Sequence, residues 1–288
     1  LTLSPSARGI ALMLVAMAVF SAMDGLSKEL TAHLDPIEIA WGRFVFHGLF
    51  LLPMVLAHGW RQVIRPHRIS LQIGRGVLML GSGLFFIGAL GHMPMAEAAT
   101  LGFVAPLMVA VLSVPMLGER VAGRCWIAIA GGFGGVLVVM RPGAETFDPA
   151  ALLPILSSAC WAVALILTRR IGTTDAPLTT QVWTALASLA VTSLLVPWVW
   201  KLPDPPMLAA MAGMGLCSLL GQYLLILAFT TGRAAVLAPF QYSQLLWSGT
   251  IGWLWFGTAP DPWTWIGAGV LVVSGVYLWH DERRATAS

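Results

Sequence analysis

An all-α integral membrane protein of ten transmembrane helices, arranged as two inverted five-helix repeats with both termini cytoplasmic, is the fold this sequence predicts. Three observations carry it. Of 288 residues, 58% are hydrophobic and only 10% are charged. A soluble domain has about a quarter charged residues, so this chain cannot build a water-facing surface. Its apolar residues gather in stretches that approach or exceed the roughly 20 needed to cross a bilayer core as a helix. The chain also aligns with itself when displaced by 139 to 141 residues, the sign of an internal duplication.

The first repeat, residues 1–143, holds stretches at 8–30, 36–57, 70–91, 95–117 and 122–140. The second, residues 144–288, holds stretches at 150–170, 177–199, 206–229, 234–256 and 263–280. Only 58–69 and 141–149 are longer than brief turns, leaving no room for a soluble domain. Before the first stretch, LTLSPSARG has one arginine and no small-residue cleavage pattern. The apolar run that follows is too long for a signal-peptide core, so it reads as a retained helix. Asp-Pro occurs at 35–36, 148–149, 204–205 and 261–262. Aspartate as N-cap followed by proline at the first helical position suits the orphan N–H groups of a helix start. Pro94 does part of the same work for the fourth stretch. The fifth contains Gly131, Gly132, Gly134 and Gly135, a small-residue pattern that allows close helix packing. In the ninth, Pro239 loosens the hydrogen-bond ladder. Cys125, Cys160 and Cys217 are far apart, in no ligand or redox spacing, and read as small apolar residues.

Positively charged loops stay on the cytoplasmic side. With the N-terminus inside, twelve of the sixteen lysines and arginines fall at the inner face, Arg61, Arg65, Arg68 and Arg75 among them. Lys28, Arg141 and Lys201 remain outside, and Arg43 belongs to neither face. Self-alignment sets Phe20 opposite Trp161, Lys28 opposite Arg169, Pro36 opposite Pro177 and Gly118 opposite Gly257. Five spans per copy put the second copy in the membrane upside down, the plan of alternating-access carriers with a site near the midplane.

With Arg43 in the second stretch, Ala89-Leu90 closing the third, Pro106 in the fourth, Leu117-Gly118-Glu119 after it and Trp126 before the glycines of the fifth, residues 8 to 280 resemble the drug/metabolite transporter superfamily in its ten-helix EamA-type branch. The second copy departs from the pattern with Phe256-Gly257-Thr258 and with Leu245 opposite Pro106. The resemblance implies two EamA-type repeats in the bacterial cytoplasmic (inner) membrane. It also implies a cavity lined by the first four helices of each half and export of amino acids or similar small metabolites. A narrower likeness to aromatic amino acid exporters of the YddG type suggests an aromatic substrate.

Ionisable groups inside spans cost about 2.5–3.5 kcal/mol on insertion scales and should face protein or water. Asp24 lies six residues before Leu30, and Arg43 seven after Pro36, so each is about 10 Å from the same end of the bundle at 1.5 Å per residue. An Asp24–Arg43 ion pair is the first expectation, with Lys28 able to share the carboxylate. Two roles are open: a static helix lock, or a guanidinium that takes the carboxylate of a substrate bidentately. His47, one turn past Arg43, either bonds a backbone carbonyl or lines the cavity as a proton carrier. Glu38 and Glu97 lie near helix ends and are expected to be hydrated. The second half offers Gln222-Tyr223 and Gln241-Tyr242-Ser243-Gln244, either as interhelical hydrogen bonders or as site residues. Trp161 and Trp183 sit too deep for the interfacial belt and either pack as core or stack on a substrate. The candidate substrate-binding set is therefore Asp24, Arg43, His47, Trp161, Trp183, Tyr223, Gln241, Tyr242 and Gln244.

No phosphate loop, no H-E-x-x-H and no G-x-S-x-G occurs, and His92 and Glu97 are not at a zinc spacing. No cofactor or metal is expected. The scattered basic residues do not point to nucleic acid. The expected partners are a small-molecule substrate and the lipid bilayer; oligomeric state is not legible. Two alternatives stand beside amino acid export: a carrier of cationic drugs or quaternary amines, favoured if Asp24 is the free group, and an intramembrane enzyme. A non-transporting scaffold would not need an inverted repeat around polar residues.

Overall fold

The structure, a computed structural model, describes residues 5–118, 123–141, 148–171, 174–231 and 237–287. Glu119 and two of the twelve inner-face cations, Arg120 and Arg233, lie outside them. All regular structure among the described residues is helical. The elements are α1 (Pro5–Thr31), α2 (Pro36–His58), the short α3 (Trp60–Val63), α4 (Ile69–Leu90), α5 (Met95–Gly102), α6 (Ala105–Leu117), α7 (Gly123–Met140), α8 (Leu152–Ile171), α9 (Pro177–Leu195), α10 (Pro205–Thr231), α11 (Ser243–Phe256) and α12 (Pro262–Ala287). Short 3-10 turns at Pro149–Ala151, Val196–Trp198 and Ala238–Tyr242 precede α8, follow α9 and precede α11. Among these residues, seven helical segments are long and apolar enough to cross a membrane, and Cys125–Met140 and Pro262–Tyr277 are shorter apolar helices.

All four Asp-Pro pairs start helical segments. Asp35 accepts from the Ile37 N–H at 2.8 Å, Asp148 from Ala150 at 2.8 Å, Asp204 from Met207 at 2.9 Å and Asp261 from Thr264 at 2.7 Å. Each carboxylate occupies a donor that the helix itself cannot satisfy. Two helices end on glycines in the left-handed region, Gly118 at φ 71° and Gly257 at φ 67°. Their N–H groups close on the Val114 and Trp253 carbonyls. A side chain at either position would strain the turn.

The fourth apolar stretch is not one straight helix. It breaks at Phe103–Val104 between α5 and α6, because Pro106 has no N–H to give the Gly102 carbonyl. The Ser158 hydroxyl of α8 lies 2.8 Å from that carbonyl and shares its one hydrogen between it and the Pro154 carbonyl of its own helix at 2.9 Å. At the ninth stretch, the 3-10 turn Ala238–Tyr242 passes into α11 at Ser243, 139 residues after that break.

Packing reads the same from either half of the chain. α1 packs on α10 as α8 packs on α4; α2 packs on α10 as α9 packs on α4; α1 meets α11 as α8 meets α6. α7 and α12 pair on the flank of this core, where Cys125, Ile129, Val136, Val139 and Leu271 pack with Leu101 and Leu107. At one end of the bundle, Lys28 Nζ donates to the Leu90 and Met93 carbonyls at 2.7 Å each, tying α1 to the end of α4. At the same end Arg141 pairs with Asp261 at 2.6 Å. At the other end Asp175, before α9, accepts from the His67 N–H and ring and from Gln72 Nε2, at 2.8 to 2.9 Å. Large apolar side chains such as Leu49, Ile127 and Leu194 are uncovered by protein, as suits faces turned to lipid.

Two expectations are corrected at the first of these ends. Lys28 is spent on carbonyls and does not share Asp24. Glu38 is fully buried, accepting from the Lys201 N–H at 3.2 Å, because the chain after α9 folds over the start of α2 and excludes water.

Candidate functional site

A cavity of about 330 Å³ lies in the bundle core. α1, α2, α4, the α5–α6 break, α8, α9, α10 and the start of α11 each give it at least one residue. Of the residues expected from the sequence, Asp24, Arg43, His47, Trp161, Gln241 and Gln244 line it. Its apolar wall is aromatic and thioether: Phe20, Phe86, Phe103, Met17, Met23 and Met79. Such side chains fit flat or irregular apolar groups, the methionines by re-packing.

Arg43 projects from α2 toward α4, with its guanidinium carbon 4.7 Å from the centre of the Phe44 ring. It can lie there because residue 83 is glycine: a Cβ at that position would come within 2.5 Å of Nη2. Arg43 Nε is buried with no hydrogen-bond partner. The expected Asp24–Arg43 ion pair is not formed. α1 and α2 each pack chiefly on α10 rather than on each other, so equal depth does not bring the two charges into contact. Asp24, nearly buried, accepts instead from Gln244 Nε2 at 3.3 Å. His47 Nδ1 is 3.1 Å from the Ser218 hydroxyl of α10, a side-chain partner in place of the backbone carbonyl considered from the sequence.

The other three expected residues are not on the wall. Tyr223 is 49% exposed on the outside of α10 while its neighbour Gln222 lines the cavity. Trp183 keeps a buried Nε1 without a partner, and Gln181 and Thr184 on either side of it reach the cavity instead. Tyr242 stands behind the wall, its ring 5.0 Å from that of Phe103. In all three cases a neighbour on the same segment, rather than the expected residue, faces the cavity.

Arg75 is a cavity residue that the sequence left out of the candidate set. Counted among inner-face cations, it stands six residues inside α4, lines the cavity, and donates to the hydroxyls of Thr168 at 2.6 Å and Thr184. The available signal was its position: six residues is about 9 Å of helix, too deep for a loop. Ser82, Ser157 and Ser158 add hydroxyls, with Ser82 and Ser157 3.0 Å apart.

The cavity thus offers guanidinium, amide and hydroxyl donors on an aromatic and thioether wall. This is an arrangement for holding a small amphipathic molecule rather than for breaking a bond.

Comparison with known proteins agrees. A solved crystal structure, 21% identical and covering 94% of this chain and 96% of its own, shares the fold with a TM-score of 0.66. An S-adenosylmethionine uptake transporter of Rickettsia felis is 27% identical over 96% of this chain and 94% of its own length. A riboflavin transporter of Rhizobium johnstonii is 28% identical over 94% and 91%. A pseudopaline exporter of Pseudomonas aeruginosa is 27% identical over 96% and 97%. These relatives are not named for aromatic amino acids, so the narrower YddG-type likeness gives way to the wider family. The EamA-like transporter family matches residues 7–141 and again 148–279. The chain is a multi-pass membrane protein belonging to the EamA-like transporter family, and a transporter rather than an enzyme.

Proposed function

We propose that this protein carries small amino-acid-like metabolites with a flat or apolar side group across the bacterial inner membrane by alternating access. In this reading ten spans form two inverted repeats, residues 1–143 and 144–288, with both termini in the cytoplasm, and Arg43 receives the substrate carboxylate. The observation that carries it is Arg43 itself: a guanidinium in the cavity wall, with a partnerless Nε and no carboxylate within ion-pair distance among the described residues. A charge so placed is costly unless something pairs with it, and a carboxylate fits a guanidinium fork bidentately. The matching helix contacts of the two halves support the repeat.

Trp161 with Phe20, Phe86 and Phe103 supports an aromatic or other flat group beside the amino acid end. S-adenosylmethionine joins an amino acid to a flat base, and riboflavin is built on a flat ring. Both are carried by relatives of this chain, by their names, which agrees with such a cargo. Relatives are named for uptake as well as export. Export rests on the likeness read from the sequence. Asp24 is engaged by Gln244, which disfavours the alternative of a free acid waiting for a cationic drug.

Counterflow in proteoliposomes tests the reading, with a panel of amino acids and organic cations competing against labelled phenylalanine. Zwitterionic aromatic amino acids should compete and quaternary amines should not. Arg43→Lys should raise the half-saturating concentration about tenfold or more, because one fork bond is lost. Flux unchanged in Arg43→Lys and Arg43→Ala would remove the carboxylate anchor. Loading the substrate on one side at a time measures direction, and an imposed pH gradient measures coupling through Asp24 or His47.

A further inference from the structure

Arg75 has no role in the reading above, yet its surroundings parallel those of Arg43. Both guanidiniums belong to the cavity wall, and among the described residues Asp24 is the one carboxylate in that wall. No acid lies within ion-pair distance of Arg75 among the described residues. Its hydrogen bonds go to Thr168 and Thr184, which use two of the five N–H groups of a guanidinium and leave the rest to give. A membrane-embedded cation held by two hydroxyls and by no carboxylate is oriented without being neutralised.

The spacing of the two cations can be read along two helices. Arg43 Nη2 lies against Gly83, which is eight residues beyond Arg75 on α4. That is about 12 Å along the axis. Thr184 packs beside Gly76 and so keeps the Arg75 head near its own level on α4. On α8, Ser157 bonds to Ser82 and Thr168 bonds to Arg75. Thr168 is eleven positions beyond Ser157, about 16 Å along the helix. Two cations roughly 12–16 Å apart, facing one cavity, are too far apart to grip a single carboxylate. Each reaches about 4 Å, carbon to carbon, to an acid held in a fork. Two acid groups held at once would therefore be separated by roughly 4–8 Å.

We infer that the cavity contains a second anion station at Arg75, and that the protein takes elongated amino-acid-like metabolites bearing a second acid group at the far end. The Arg43 station takes the α-carboxylate, the aromatic and thioether wall takes the middle, and Arg75, with Gln181 and Thr184 beside it, takes the distal acid. This inference rests on the reading of Arg43 as carboxylate anchor and specifies the other end of the same substrate.

A matched pair of probes tests it: 4-carboxyphenylalanine and its neutral isostere 4-carbamoylphenylalanine, titrated calorimetrically into the full chain in detergent micelles. The acid is expected to bind about tenfold more tightly than the amide, since a charge-assisted bond is roughly twice as strong as a neutral one. In Arg75→Gln the ratio should fall to about one, and Arg75→Lys, which keeps a cation, should retain most of it. Equal binding of the two probes by the unaltered protein overturns the inference while leaving the Arg43 anchor standing. A preference that persists in Arg75→Gln overturns it as well. If neither probe binds, the amino-acid reading fails and takes this inference with it. The wild-type comparison decides even if Arg75→Gln does not fold.

Discussion

Gly83→Ala should weaken carboxylate binding while leaving the fold intact. The added Cβ would meet Arg43 Nη2 at 2.5 Å, about 1 Å inside ordinary van der Waals contact. The atom it meets is the far end of a long side chain, so the guanidinium moves rather than the helices. Alanine in place of glycine within α4 also removes a conformational cost of up to about 1 kcal/mol, so stability should not fall. A shift near 1 Å breaks one bond of a bidentate fork, whose two bonds each need about 2.7–2.9 Å. Losing one charge-assisted bond costs about 1.5–3 kcal/mol, or roughly 10- to 150-fold in affinity. Calorimetric titration with 4-carboxyphenylalanine, beside a thermal melt of the same sample, reads both quantities. Unchanged affinity at unchanged melting temperature would refute the placement of Arg43 as anchor. A collapse in melting temperature would refute the claim that the guanidinium gives way before the helices do.

Two further outcomes follow from the same structure. Ser158→Ala removes the donor that answers the Gly102 carbonyl freed by Pro106; it should cost about 0.5–1.5 kcal/mol. In a Pro106→Ala background, where residue 106 supplies its own N–H, thermal melts should show that cost shrinking, and an unchanged cost would sink this account of the break. Asp175 sits outside the spans. Burial alone would raise its carboxyl, but bonds from the His67 N–H, Gln72 and the His67 ring outweigh that and hold it below the usual carboxylate range. A group depressed in the folded state stabilises above its unfolded value of about 3.9 and loses that contribution as pH falls through the folded value. The melting-temperature gap between wild type and Asp175→Asn should therefore be present at about pH 5 and close below about pH 4. A gap that stays constant to pH 3 would rule out Asp175 as the titrating contact.

Membrane class, helix starts and family membership were legible in residue order alone. Apolar length and charge scarcity are properties of the chain, and Asp35-Pro36 caps its helix through bonds that span two residues. Arg43 and His47 were legible as a pair because one helical turn sets them on the same face, and both line the cavity. The break before Pro106 was legible in principle from that proline, although its repair by Ser158 was not.

Tertiary structure decided which charges meet and which faces look inward. Equal depth suggested Asp24 with Arg43, yet α10 stands where α1 and α2 would touch, and Asp24 bonds to Gln244, 220 residues away. Gln222 rather than Tyr223, and Thr184 rather than Trp183, reached the cavity for a common reason. In a soluble helix, polar residues mark the side that faces water. In a membrane both lipid and core are apolar, so sequence pattern says little about rotation about the axis, and neighbouring helices set it. Arg75 shows the same limit from the other side: its charge placed it at the inner face, and only the packing of Thr168 and Thr184, brought by two helices from the far half of the chain, shows that it lines the cavity.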